Sequence, residues 1–87
     1  QHFTLYQNYP NPFNNGTVIK FYAKQAGTAL LTLYDPLGSE VYRSSMEVNG
    51  EGENFFNFNQ PNLPSQVYLY KVTLGNESAI KKMILLK

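Results

Sequence analysis

Apolar and polar side chains alternate along short stretches of this chain, and turn-forming residues interrupt them at near-regular intervals. Thr17, Val18, Ile19, Lys20, Phe21 and Tyr22 form a β-branched and aromatic run that ends near Ala26 and Gly27. Residues 29–34 form a second run, closed by Asp35, Pro36, Leu37 and Gly38 at turn-like positions. Residues 40–43 extend toward Met46 and Val48, before Asn49, Gly50, Glu51 and Gly52 break the pattern. Residues 54–58 follow, then a proline-bounded loop over 60–65. Residues 67–74 carry the strongest strand pattern, and Gly75, Asn76 and Glu77 turn the chain into residues 79–86. With the short apolar segment 5–9, this predicts seven strands at roughly the 8–12-residue spacing of a sandwich or barrel. No window keeps a helical period, and residues 80–86 are too short and uncapped to form a helix. The expected fold is all-β, an Ig-like antiparallel β-sandwich of about seven strands.

The same alternation assigns faces. Tyr68, Tyr70, Val72 and Leu74 share one face of their strand, and Lys71 and Thr73 the other. Ile19 pairs with Phe21 in this sense, and Phe56 with Phe58. In the last strand Ile80, Lys82, Ile84 and Leu86 share a face, while Lys81, Met83, Leu85 and Lys87 share the opposite one. Both faces carry apolar groups beside a lysine. A strand buried on one side only has no need of this. A partner on the second face, pairing along the edge, or contact with a nearby loop would each account for it.

Length and composition narrow the class. An 87-residue chain forms a single domain, so residues 1–87 are read as one unit. Seven Tyr and six Phe suit pleated, half-buried surfaces. Charged residues make up 15%, below the roughly 25% usual for soluble domains. The seven Lys and Arg are scattered, with only Lys81 and Lys82 adjacent, so the clustered basic face of a nucleic-acid reader is missing. Without cysteine there is no disulfide, thiolate metal site or cysteine nucleophile. No apolar run approaches the roughly 18 residues of a membrane span. A start at Gln1 rather than Met is read as a piece excised from a longer secreted protein.

Candidate chemistry is sparse. His2 is the only histidine, and a chain terminus is a poor place to fix a catalytic base. Glu51 and Glu53 lie in a glycine-rich turn, and Asp35 precedes a proline where it stabilises its own turn. Asn8, Asn11, Asn14 and Asn15 offer amide oxygens too weak to build a calcium site alone, and they suit turns better. Gly50-Glu51-Gly52 is too short for a phosphate loop. Asn15-Gly16-Thr17 and Asn76-Glu77-Ser78 match the N-glycosylation pattern, which is frequent by chance. No enzyme, cofactor or small-molecule substrate is expected. Tyr6, Tyr9, Tyr22, Tyr34, Tyr42, Tyr68 and Tyr70 leave a second reading open, since exposed rings on a sandwich can stack on sugars. That alternative is a carbohydrate-binding or passive Ig-like accessory module of a secreted enzyme. Against it stands packing of the rings in the core, with Tyr68 placed as an Ig-type tyrosine corner.

Three segments together carry a resemblance. Leu5-Tyr6-Gln7-Asn8-Tyr9-Pro10-Asn11-Pro12-Phe13-Asn14 resembles an N-terminal Asn-Tyr-Pro-Asn-Pro-Phe-Asn signature. Leu33-Tyr34-Asp35-Pro36-Leu37-Gly38-Ser39-Glu40-Val41 is similar to a central strand-turn-strand motif. Val67-Tyr68-Leu69-Tyr70-Lys71-Val72, followed by Lys82-Met83-Ile84-Leu85-Leu86-Lys87 at the chain end, completes the set. The family they resemble is the type A C-terminal sorting domain of the type IX secretion system, also called the Por secretion system. Gln66 stands where that family usually has glycine.

The resemblance implies a secretion signal that takes its parent from the periplasm through the outer-membrane translocon, recognised in folded form. The implied partners are translocon and shuttle proteins and a sortase-like signal peptidase, which removes the domain upstream of Gln1 and attaches the cargo to the cell surface. Periplasmic transit, then a surface or secreted location, follows from the same likeness. Lys82, Met83, Ile84, Leu85, Leu86 and Lys87 are the candidate recognition residues. A last strand at a sheet edge would offer unpaired main-chain groups to a partner. Tyr9, Pro10, Asn11, Pro12 and Phe13 are expected to be structural, with the flanking rings closing one end of the sandwich, as are Gly38, Tyr68 and Tyr70.

Overall fold

Strands form where β-branched and aromatic residues alternate with polar ones, and the alternation sets which side of each faces in. A computed structural model describes residues 2–87. In chain order the strands are β1 (Thr4–Leu5), β2 (Thr17–Ala23), β3 (Gly27–Tyr34), β4 (Glu40–Val48), β5 (Gly52–Phe58), β6 (Gln66–Leu74) and β7 (Glu77–Leu85). They make a three-stranded sheet in the order β1-β2-β5 and a four-stranded sheet in the order β4-β3-β6-β7. Every strand pairing is antiparallel. An Ig constant-type sandwich places its fourth strand with the first, second and fifth, whereas here β4 lies beside β3. The all-β sandwich is as the alternation predicts. No helix long and apolar enough to cross a membrane occurs among the described residues.

The inward faces interlock into one core. Ile19 and Phe21 of β2, Phe56 and Phe58 of β5, and Tyr68, Tyr70, Val72 and Leu74 of β6 are all buried. Phe21 stacks on Phe56 with ring centroids 5.7 Å apart. Tyr42 meets Phe58 edge-on at 5.0 Å, which joins β4 to the opposite sheet. Phe13 comes from a loop and also packs edge-on against Phe58, at 6.1 Å. Its ring is buried in the core. Tyr9 is 80% exposed, because the chain there pairs with Val18 and turns the ring outward.

Two turns are specified by single residues. Asp35 accepts hydrogen bonds through Oδ1 from the Leu37 and Ser39 amides, at 3.0 and 2.9 Å. Gly38 adopts φ of 87° there, a conformation in which a Cβ is strained. β1 is shorter than the alternation predicts. Beyond Leu5 the ladder thins to isolated main-chain bonds, Tyr6 to Lys20 and Tyr9 to Val18, while the Tyr6 carbonyl and the Asn8 amide bond the Tyr70 hydroxyl.

Candidate functional site

β7 is the edge strand of the four-stranded sheet, and its alternation divides the last six residues between two environments. Met83 and Leu85 point into the sandwich, with 0% and 2% of their surfaces exposed. Lys82 and Leu86 are exposed and Ile84 is half-buried on the outer face. The Lys87 amide donates to Ser65 Oγ at 2.9 Å, and its ammonium reaches the Pro61 carbonyl.

The edge of β7 is not free along this stretch. Phe13 lies parallel to it: its amide donates to the Ile84 carbonyl at 3.0 Å, and its carbonyl accepts from the Leu86 amide at 2.9 Å. Asn11 Oδ1 accepts from the Ile84 amide at 2.9 Å, and Gln7 Nε2 donates to the Lys82 carbonyl at 2.6 Å. Residues 7–13 therefore form a strap along the downstream half of the strand. The expectation of an open terminal edge needs correcting on this point, since those main-chain groups already have partners within the chain.

Tyr70 holds the strap from beneath. Its buried hydroxyl donates to the Tyr6 carbonyl at 2.8 Å and accepts from the Asn8 amide at 2.9 Å. Burial pushes the phenol pKa up to about 12. Asn8 is also buried; its Nδ2 donates to Thr17 Oγ1 at 3.0 Å and to the Pro10 carbonyl at 3.2 Å. Thr17 Oγ1 donates to the same carbonyl at 2.8 Å. The Tyr9-Pro10 and Asn11-Pro12 peptides within the strap are cis. Two motifs at opposite ends of the sequence thus make one structural unit.

A family model described as the secretion system C-terminal sorting domain matches residues 7–86, which runs from the strap to the outer end of the last strand. The chain belongs to this family. No curated protein matches it. The domain is a C-terminal sorting signal for type IX secretion, which implies interaction with that system and export to the cell surface or the medium. The family consists of sorting signals and is not known for catalysis.

In this sorting domain Tyr68 and Tyr70 occupy the core. The Tyr68 hydroxyl donates to the Pro64 carbonyl at 2.5 Å, the contact a tyrosine corner makes to the backbone a few residues upstream. The other rings do not form one row. Tyr42 packs on Phe58 and Tyr22 bonds Glu51, while Tyr6 and Tyr9 flank a surface cleft of about 350 Å³ with Val18 and Lys20. Tyr34 pairs with Leu69 within the four-stranded sheet. His2 is exposed, and among the described residues no three His, Asp or Glu gather closely enough to hold a metal.

Sequence reasoning missed the strap bonds of Gln7 and Asn8, and the exposed apolar side chains of Leu37, Val67 and Leu69. The outward direction of Val67 and Leu69 was available from parity. The strap contacts of Gln7 and Asn8 join residues far apart in sequence and leave no periodic trace.

Proposed function

We propose that the translocon and its shuttle proteins grip the folded sandwich through its terminal segment, by Lys82, Ile84 and Leu86 on the outer face and by Lys87 past the strand end. Met83 and Leu85 contribute from inside, by fixing the strand that presents the other four. The cargo passes through the periplasm with this handle folded, and a sortase-like signal peptidase then cuts on the N-terminal side of the sandwich. The strap supports this reading, because it secures the downstream edge of β7 while leaving its outer face uncovered. The single observation that carries it is the exposure of Lys82 and Leu86 (56%) where Met83 and Leu85, on the opposite face, are buried in the core.

The test replaces Lys82→Glu, Ile84→Thr and Leu86→Thr together in a cargo bearing this domain. Lys82 and Leu86 are exposed, where changes stay within about 0.5 kcal/mol, and a thermal melt establishes that the triple variant is folded. Cargo is expected to accumulate in the periplasm. Export at the wild-type level by the folded triple variant would overturn the reading.

A further inference from the structure

The outer face of the four-stranded sheet has two unlike halves. On β3 and β4 its charges are answered locally: Arg43 forms a 2.8 Å ion pair with Glu40, and Thr28 Oγ1 donates to Glu47 at 2.7 Å. On β6 and β7 the register sets Val67 opposite Ile84, Leu69 opposite Lys82, and Lys71 opposite Ile80. Val67, Leu69 and Ile80 are exposed, and Ile84 is half-buried. Among the described residues neither Lys71 nor Lys82 has a carboxylate partner. No Asp or Glu occupies an outward position on this half between Gln66 and Leu74 or between Ser78 and Leu86.

The Ile84 amide and carbonyl both bond to the strap, so the Val67–Ile84 pair does not exchange hydrogen bonds across the two strands. By alternation neither do Leu69–Lys82 and Lys71–Ile80. Side chains in such pairs approach most closely, which draws these six into one surface. A sheet face turned to water normally carries polar residues at these positions. Here branched apolar groups alternate diagonally with two cations and meet no anion.

We propose that this β6–β7 face docks a protein of the export machinery whose contact surface is apolar at its centre and carries carboxylates. The proposal rests on the reading that the machinery grips β7 from outside, and it adds β6 and the chemistry of the partner. Charge complementarity selects that partner. Lys71 and Lys82 sit beside Leu69 and Ile80, so a carboxylate meeting either ammonium is held against apolar surface, where its pull is least screened. A lipid surface is the poorer fit, because anionic headgroups are recognised by clusters of roughly four to eight basic residues.

The test uses a reporter cargo carrying the full chain in a bacterium with type IX secretion. One variant changes only β6, Val67→Thr with Leu69→Thr, leaving the terminal six residues intact. A second, Lys71→Glu with Lys82→Glu, keeps every apolar side chain and carries the test if the first fails to fold. Thermal melts establish folding. Each folded variant is expected to lower export by about tenfold or more. Normal export by the folded β6 variant, with the Lys82, Ile84 and Leu86 variant still retained, would overturn this inference alone. Normal export by both would overturn the terminal-strand reading as well. Normal export after the lysine reversals would exclude a carboxylate-bearing partner. Binding of the purified chain to phosphatidylglycerol vesicles, abolished by the lysine reversals at unchanged export, would make the ligand lipid and would also overturn the proposal.

Discussion

Tyr70 shows how much of the domain depends on one hydroxyl. Replacing it with phenylalanine leaves the Tyr6 carbonyl and the Asn8 amide without their buried partner, at a cost of about 1–3 kcal/mol. Denaturant unfolding of Tyr70→Phe measures this. The same phenol makes stability depend on pH. Its pKa in the folded state is about 12, against about 10 when unfolded, so folding favours the protonated form. The stabilisation is complete below pH of about 10 and is lost as pH climbs toward about 12. Tyr22, whose pKa is raised by its bond to Glu51, adds a slope of the same sign. Tyr70→Phe should therefore flatten the alkaline decline without removing it. On β7 the two faces respond differently. Met83→Ala should cost about 2–5 kcal/mol, whereas Lys82→Ala should stay within about 0.5 kcal/mol. Parity alone separated these two side chains, because a strand cannot bury both neighbours in one sheet face. Nothing of the kind marked Asn8, whose amide looks in sequence like any turn-forming asparagine.

The strap and the last strand are better treated as one element than as two. Asn11→Ala removes the acceptor for the Ile84 amide, and hydrogen exchange at Ile84 is expected to quicken while amides of β2 keep their protection. Unchanged protection at Ile84 would mean the strap does not secure the edge. Phe13→Ala removes a buried ring in contact with Phe58 and should cost about 3–5 kcal/mol. Strands such as β2 and β6 were legible because each is a run of alternating side chains that needs no knowledge of its partner. β1 was not, since from Asn8 onward the polar groups of the segment are satisfied by Tyr70, Thr17 and Val18 rather than by a continuous ladder. An edge covered by residues more than 70 positions away cannot be seen in local pattern. The strap also answers a hazard of sandwiches, since an open terminal edge invites pairing with other chains.

In the assembled molecule the N-terminal and C-terminal signatures converge at one place. The signature at residues 7–13 lies against the final strand, so the first and last of the three sequence motifs are neighbours in space. Under the proposed docking, a sorting signal needs the whole folded domain rather than a short tail, because β6 and the strap hold the outer face of β7 in place. The structure lends the sugar-binding alternative no support. Two of the tyrosines are core residues, and the others are spread over both sheets. What the sequence did not expose was the contrast between the β3–β4 and β6–β7 halves of the outer face, which depends on cross-strand neighbours. The most direct measurement fuses residues 1–87 to a reporter protein carrying its own signal peptide and follows it in a bacterium with a type IX translocon and in one without. The reporter should reach the surface or medium only in the first, and remain in the periplasm with its domain folded in the second. Retention in the periplasm of both strains, with the domain folded, would contradict the account.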